Sequence, residues 1–383
     1  MKILMLLESN FPPDTRVENE IKALTESGHE VHIACIKTAR DLSEKSFGKA
    51  TIHRALLSEF LRKSSTGALI FPFYFHFWRK FVNDLFGFYQ FDAIHVHDLP
   101  LAVIGYEMKK KFGVKFILDL HENWPGLLAI SEHLQTFPGN LLFSLKEWTK
   151  YEKKYVNLAD KVIVVVDEAK DRIASLGVDK GRIHVVSNTL NLEESRFGIQ
   201  KEVSDKIIFT YAGGVTYHRG LQYVLEAAAL LAGERFEIWI VGDGRYLNTL
   251  KKQASLLGLD DQIRFWGRKS QAELLDLVCE SDVALIPHVK SAHTDSTIPH
   301  KLFQYMYAEK PVLASDCIPV MRIINETRSG WVYPWSDVEQ LASFMKKIIN
   351  NEFDLKDYAQ GKSFVANKYN WDVDKLNLLM IYK

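Results

Sequence analysis

The sequence predicts an α/β protein built of two doubly wound domains in tandem, and three observations carry that expectation. The chain has 383 residues, long for a single hydrophobic core, so two domains are expected. Strand-like apolar runs alternate with helix-like amphipathic runs from the start, the βαβ rhythm of a parallel sheet covered on both faces. The rhythm breaks at 188–205, which is polar and aperiodic. That break separates a domain of residues 1–188 from one of residues 189–367, with a helical tail at about 368–383.

The first run, 2–7, reads as a strand. Its apolar part ends at Glu8, too short for the core of a signal peptide. Further strands are expected at 30–36, 51–56, 93–97, 115–120, 161–166 and 183–186. Between them lie helical patterns at 17–27, closed by Gly28, and at 99–111, closed by Gly113. After the break the alternation resumes with strands at 207–211, 236–241, 263–266, 283–286 and 311–314. Helices are expected at 221–231, 246–257 and 271–280. Two such sheets would set their carboxyl edges opposite each other across a cleft, where α/β proteins bind ligands.

Composition narrows the function. Hydrophobic content of 47% and charged content of 25% describe an ordinary globular protein. Lys plus Arg equals Asp plus Glu, 48 each, which gives no support for a nucleic-acid partner. Cys35, Cys279 and Cys317 sit in or beside apolar segments at unrelated spacings. They read as small buried hydrophobes in a reducing compartment, neither disulfides nor metal ligands. No run of 18 apolar residues exists, so no membrane-spanning helix is expected.

The most informative stretch is DSTIPHKLFQYMYAEKPVLASD, from Asp295 to Asp316. Pro299 suits a helix start, because its missing N–H is not needed there. Leu302, Phe303, Tyr305 and Met306 supply the apolar face of about two turns. A helix N-terminus beside His300 and Lys301 at a sheet edge offers an anion site. Two glycine turns precede it. In YAGGVTYHRG, 211–220, Gly213 and Gly214 permit close backbone approach, and Arg219 stands just before a helix. A guanidinium there could pair with a diphosphate, or be an exposed Arg after a Gly-rich turn. In IVGDGRY, 240–246, Gly242 and Gly244 form a second strand-to-helix turn. In the first half, HVHD at 95–98 and LDLHEN at 118–123 both put His at a strand end.

These motifs, in this order, resemble the retaining glycosyltransferases of family 4. The resemblance is strong across 1–20, 213–220 and 299–316 and weaker elsewhere. One branch of that family reads Pro-x-Lys-Leu-Phe-Glu-Tyr-Met where this chain has Pro299 to Met306. Many members carry Glu, seven residues, Glu; the two positions are Ser296 and Gln304 here. The resemblance implies a GT-B fold whose last helix packs back on the N-terminal domain and whose C-terminal half binds the nucleotide-sugar. It implies a ribose-diol role for Gln304 and a donor-sugar role for Ser296 or its neighbour Asp295. Gly214 replaces one phosphate-binding Arg, and Arg219 replaces a Lys. Gly242 matches a turn near the base, and the loop from Trp266 to Arg268 follows in the place of a base contact. His121 matches the family His that reaches toward the donor sugar. Pro-x-Asp-x-Arg-Val at 12–17 matches the branch too. Arg16 would then supply the positive charge that Gly214 lacks, or pair with a local Glu.

The implied reaction is glycosyl transfer from a nucleotide-diphosphate sugar to a saccharide or lipid-linked acceptor, with retention and without a metal or other cofactor. Cell-surface polysaccharide or glycolipid synthesis in the cytoplasm is the expected setting. Arg219 and Lys301 would stabilise the leaving diphosphate. Two alternatives stay open. One is a sugar-nucleotide 2-epimerase of the same layout, with Glu122 as the one tempting carboxylate. The other is a non-catalytic sugar-nucleotide-binding subunit, suggested by Ser296 and Gln304. Residues 68–91 hold eleven aromatic residues, next to Arg62, Lys63, Arg79 and Lys80. That clustering suits either a peripheral contact with the inner membrane face or core packing beneath the sheet.

Overall fold

β1 (Lys2–Leu7) is buried from its second residue onward, so both of its faces need cover. It obtains that cover at the centre of an eight-stranded sheet. β2 (Glu30–Lys37) pairs parallel to it on one side and β5 (Ala93–His97) on the other. The computed structural model describes residues 1–37, 45–58, 61, 64–65, 67–131, 134, 143–193 and 206–383. Arg62, Lys63 and most of the expected linker, 194–205, lie outside the described residues. Contacts divide the chain into two units: Met1–Ser187 with Asp372–Lys383, and Asn188–Trp371.

In the first unit, β3 (Ser46–Phe47) and β4 (Ala50–Leu56) lie beyond β2. β6 (Lys115–Leu120), β7 (Lys161–Val164) and β8 (Ile183–Val185) follow β5. The strand order is β3-β4-β2-β1-β5-β6-β7-β8. All pairs are parallel except β3–β4. The order reverses between β1 and β5, which makes the carboxyl ends of those strands the switch point where such sheets take ligands.

α1 (Thr15–Glu26) is capped by Asp14, whose side chain accepts from the Val17 N–H at 3.2 Å. The aromatic segment forms α2 (Phe73–Phe88), and the structure divides its roles. Tyr74, Trp78, Val82 and Phe86 recur every four residues, and all four are buried. Core packing therefore accounts for much of the aromatic richness. Ile70, Phe71 and Phe73 remain exposed just before and at its start. Arg79 donates to Glu107 at 2.8 and 2.9 Å, and Lys80 to Asp84 at 2.7 Å. Two of the four cations expected to flank the apolar run, Arg79 and Lys80, are thus paired; Arg62 and Lys63 are the two outside the described residues. Further helices among the described residues are α3 (Ala102–Phe112), α4 (Trp124–Ala129), α5 (Leu145–Leu158) and α6 (Asp167–Ser175).

The second unit is a six-stranded parallel sheet in the order β11-β10-β9-β12-β13-β14. Its strands are β9 (Ile207–Ala212), β10 (Phe236–Val241), β11 (Ile263–Gly267), β12 (Val283–Ile286), β13 (Val312–Ser315) and β14 (Gly330–Tyr333). Its helices begin with α7 (Leu221–Ala229), α8 (Leu247–Leu256), α9 (Gln271–Glu280) and α10 (Lys301–Tyr307). α11 (Ile318–Thr327), α12 (Val338–Ile349) and α13 (Gly361–Asn367) complete them. Here the order reverses between β9 and β12. The last helix, α14 (Trp371–Ile381), begins at the unit boundary and returns to the first unit. There the Ile381 carbonyl accepts from Lys115 Nζ at 3.1 Å, and the Tyr382 hydroxyl meets His95 Nδ1 at 2.6 Å.

Candidate active site

At the β9 end of the second unit, three backbone constraints bring the glycine turns together. Gly213 has φ +137° and Gly242 φ +145°. A Cβ on Gly242 would stand 1.9 Å from the Gly213 carbonyl oxygen, so only glycine permits this approach. The Gly213 N–H also donates to the Val241 carbonyl at 2.8 Å. Across the switch point, a Cβ on Gly220 would meet the Pro287 carbonyl oxygen at 1.7 Å. The Val289 N–H donates to the His218 carbonyl at 3.0 Å. The loop after β9 is thereby stitched to the loop after β12.

α10 delivers Lys301 to this spot. Lys301 and Tyr305 are one turn apart and share a helix face. The Tyr305 hydroxyl accepts from the Ala212 N–H at 2.8 Å, docking α10 on β9. The Lys301 Nζ then lies over the Tyr211 ring, 3.7 Å from its centroid, and a Cβ on Gly213 would come within 2.7 Å of it. Among the described residues this Nζ is buried with no hydrogen-bond partner. Burial, and then the nearby charge of Arg219, hold the amine well below the usual lysine range. The ring face works the other way, favouring the cation. Arg219 closes a short 3₁₀ turn, and its NH1 donates to His288 Nε2 at 3.2 Å. An unpartnered buried amine beside a guanidinium has the chemistry to receive an anion.

The other donor-side expectations fare differently. Ser296 is buried, and its hydroxyl donates to the Ala292 carbonyl at 2.7 Å. Asp295 Oδ1 accepts from the Ile318 N–H at 2.9 Å, at the start of α11. Both side chains therefore have structural partners, Ser296 within this loop and Asp295 at the start of α11. Gln304 lies on the buried face of α10, and Gly214 is exposed with open space where a Cβ would stand.

In the first unit, period-two alternation sets His95 and His97 on one face of β5, and Asp119 and His121 on one face at the end of β6. The register His97↔Asp119 then makes them neighbours. Asp119 Oδ2 accepts from His121 Nε2 at 2.8 Å and meets His97 Nδ1 at 3.2 Å. Asp119 Oδ1 accepts from Arg16 NH2 at 2.7 Å. Burial alone would raise the Asp119 carboxyl, but Arg16 and His121 hold it well below the usual range. Burial works against charge on His121 too, yet ionised Asp119 pushes that imidazole up to about 9. His97 is pushed down to about 3, chiefly by burial. His121 is thus the cation of the group, and it keeps 17% side-chain exposure.

Of the two expectations for Arg16, the structure shows the pairing with a local Glu. Arg16 is buried, paired with Asp119 and with Glu20 at 3.2 Å, and donates to the Val186 carbonyl at 3.1 Å. The charge that was to compensate for Gly214 is neutralised inside the unit. Glu20, His95, His97 and Asp119 also bring ligand-type atoms within 4.8 Å of one another, with Arg16 already the counter-charge to both carboxylates. At the β1–β5 switch point stand two groups that motif reading did not single out or left weak. Burial pushes Glu8 up to about 7. Asp98 has φ +63°, with an oxygen 3.9 Å from His121 Nδ1; burial raises its carboxyl.

Two doubly wound domains, each with a polar cluster at its switch point, make up a fold of the GT-B class. Comparison with known proteins makes this specific. Residues 14–194 match the family model Glycosyltransferase Family 4, and residues 193–365 match Glycosyl transferases group 1. The chain belongs to these glycosyltransferases and is an enzyme of that kind. It is 23% identical over 317 residues to an uncharacterized glycosyltransferase of Methanocaldococcus jannaschii, covering 78% of this chain and 77% of the relative. It is 25% identical over 187 residues to the amylovoran biosynthesis glycosyltransferase AmsK of Erwinia amylovora, 48% of this chain and 46% of the relative. The fold matches Anabaena HepE, solved with UDP and glucose, with a TM-score of 0.71 at 14% identity, over 100% of this chain and 99% of that one.

Proposed function

We propose that this glycosyltransferase takes its sugar from a nucleotide-diphosphate donor and transfers it with retention, without a resident metal. The observation that carries this reading is Lys301, an unpartnered buried amine beside Arg219 at the β9–β12 switch point. A leaving diphosphate supplies the charge that both groups await, and the pair takes the part that a metal plays elsewhere. HepE binds UDP, which supports a uridine or related nucleotide here. We assign the enzyme to cell-surface polysaccharide or glycolipid synthesis, with a saccharide or lipid-linked acceptor; similarity to a glycosyltransferase named for amylovoran biosynthesis supports a biosynthetic role. We assign His121 to the transfer step. Peripheral attachment to the inner membrane face draws its support from exposed Ile70, Phe71 and Phe73, while Arg79 and Lys80 are already paired.

The test is incubation with a panel of nucleotide-sugars, following free nucleotide and the anomeric configuration of the product. Nucleotide release, even by slow hydrolysis, supports the reading. Release of an epimerised nucleotide-sugar, or binding without turnover, overturns it.

A further inference from the structure

Two arginines in this molecule are held in opposite ways. Arg16 is fixed by two carboxylates, which position it and cancel its charge. Arg219 has no carboxylate partner among the described residues; NH1 rests on His288 Nε2 at 3.2 Å. Arginine can only donate, so His288 Nε2 must carry the lone pair and its ring must be uncharged. His288 is 2% exposed and stands two residues beyond β12, after Pro287. Its backbone is also pinned: the His288 carbonyl accepts from Ser315 Oγ at 2.6 Å and from Cys317 Sγ at 3.7 Å. The acceptor is therefore a rigid one, anchored to the β13–α11 junction.

We propose that His288 is a positioning residue, whose lone pair orients the Arg219 guanidinium for the donor diphosphate while leaving its positive charge intact. A carboxylate at the same place would orient Arg219 equally well and would cancel the charge that the diphosphate needs. An apolar residue would leave the charge but free the guanidinium to rotate. Charge on the imidazole is disfavoured by burial first, and then by Arg219, Lys301, His218 and His293 around it. This assignment rests on the diphosphate reading of Arg219.

The experiment compares His288→Leu, His288→Gln and His288→Glu, each alone and with Arg219→Ala. Gln places an amide oxygen near the position of Nε2, so it keeps an uncharged acceptor. UDP, GDP and ADP are titrated by calorimetry, with the corresponding nucleosides as controls and thermal melts for folding. The nucleoside diphosphate bound most tightly by wild type is the probe. The expected result is affinity within about 3-fold of wild type for Gln, about 10-fold weaker for Leu, and weaker still for Glu. All three differences should vanish in the Arg219→Ala background, with nucleoside binding unmoved throughout. Losses that follow melting temperature, or that persist without Arg219, overturn the assignment. So does Glu binding as well as Gln. If Leu fails to fold, the Gln and Glu pair still decides. Diphosphate binding that falls in Arg219→Ala but ignores His288 overturns this inference alone. Wild type that binds none of the diphosphates overturns the donor reading and this inference with it.

Discussion

The Lys301 amine and the Tyr211 ring meet at the end of β9, with Nζ 3.7 Å from the ring centroid. The Tyr211 hydroxyl is held in turn by the Gly214 carbonyl at 2.7 Å. The ring thus forms a fixed shelf under an amine that has no hydrogen-bond partner of its own among the described residues. Nucleotide affinity should depend on this amine and on its protonation.

Lys301→Ala and Arg219→Ala are each expected to weaken nucleoside-diphosphate binding by about 1.5–3 kcal/mol, the range for hydrogen bonds to charged groups. The pH dependence has a definite sign. The free amine sits well below the usual lysine range, and only its charged form pairs with phosphate. Binding should take up a proton, and affinity should fall as pH rises above the free-state value. Calorimetry in buffers of different ionisation enthalpy checks this. A Lys301→Met variant with the same pH slope as wild type would refute it.

Asp119→Asn should be strongly destabilising, by about 3–5 kcal/mol, because it leaves Arg16 and His121 without their shared counter-charge. His121 has its imidazole raised from 6.5 to about 9 in the folded protein. Its contribution to stability is therefore fully present below 6.5 and is lost as pH rises through about 9. Denaturant titrations across that window should show wild type losing more stability than His121→Gln. Separately, His121→Ala should lower kcat with nucleotide affinity nearly intact.

Gly220 and Gly214 make a contrasting pair in one loop. Gly220 has φ +72°, and a Cβ there would stand 1.7 Å from a backbone oxygen. Gly220→Ala should cost about 3 kcal/mol or more, strain and overlap combined. Gly214→Ala meets nothing within 4 Å and should change stability by less than about 0.5 kcal/mol. Thermal melts measure both. If Gly214→Ala keeps its stability yet loses nucleotide affinity, the ligand approaches the backbone at that position.

Gln304→Leu should lose nucleotide affinity, while Gln304→Glu should keep or raise it, since a carboxylate is the stronger acceptor for a diol. Equal binding in all three proteins would show that Gln304 serves only the buried face of α10.

Phe71→Ser with Phe73→Ser should reduce co-sedimentation with anionic liposomes, since these rings are exposed. The contribution of Arg79 and Lys80 to any salt dependence should be small, because they are engaged by Glu107 and Asp84. Folded wild type that stays in the supernatant would sink the membrane reading.

Much of this fold can be read from the chain. Strands such as 2–7, 93–97 and 236–241 are short segments rich in apolar residues, and the structure has them at those residues. β14 escapes the same reading because only alternate residues of Gly330–Tyr333 are buried, and the four-residue pattern is too short to register. The glycine turns and Lys301 are local motifs and were visible. Asp119 was not, because its role appears only when β6 is set in register against β5. His288 was hidden for a similar reason, since its partner lies 69 positions away on another loop. For Arg16, a Glu four residues on is legible in a helix, whereas Asp119, 103 residues distant, is not.

The first unit is split in sequence, with all of the second unit inserted between Ser187 and Asp372. His95 on β5 waits 287 residues for the Tyr382 hydroxyl that completes its surroundings. A chain growing from its N-terminus thus exposes the sheet of β1 to β8 well before α14 emerges. The second unit, continuous in sequence, can form before α14 has been made; the first can be sealed only once α14 has emerged. The insertion gives biosynthesis an order, in which the half holding Lys301 and Arg219 matures first and the half holding His121 is locked last.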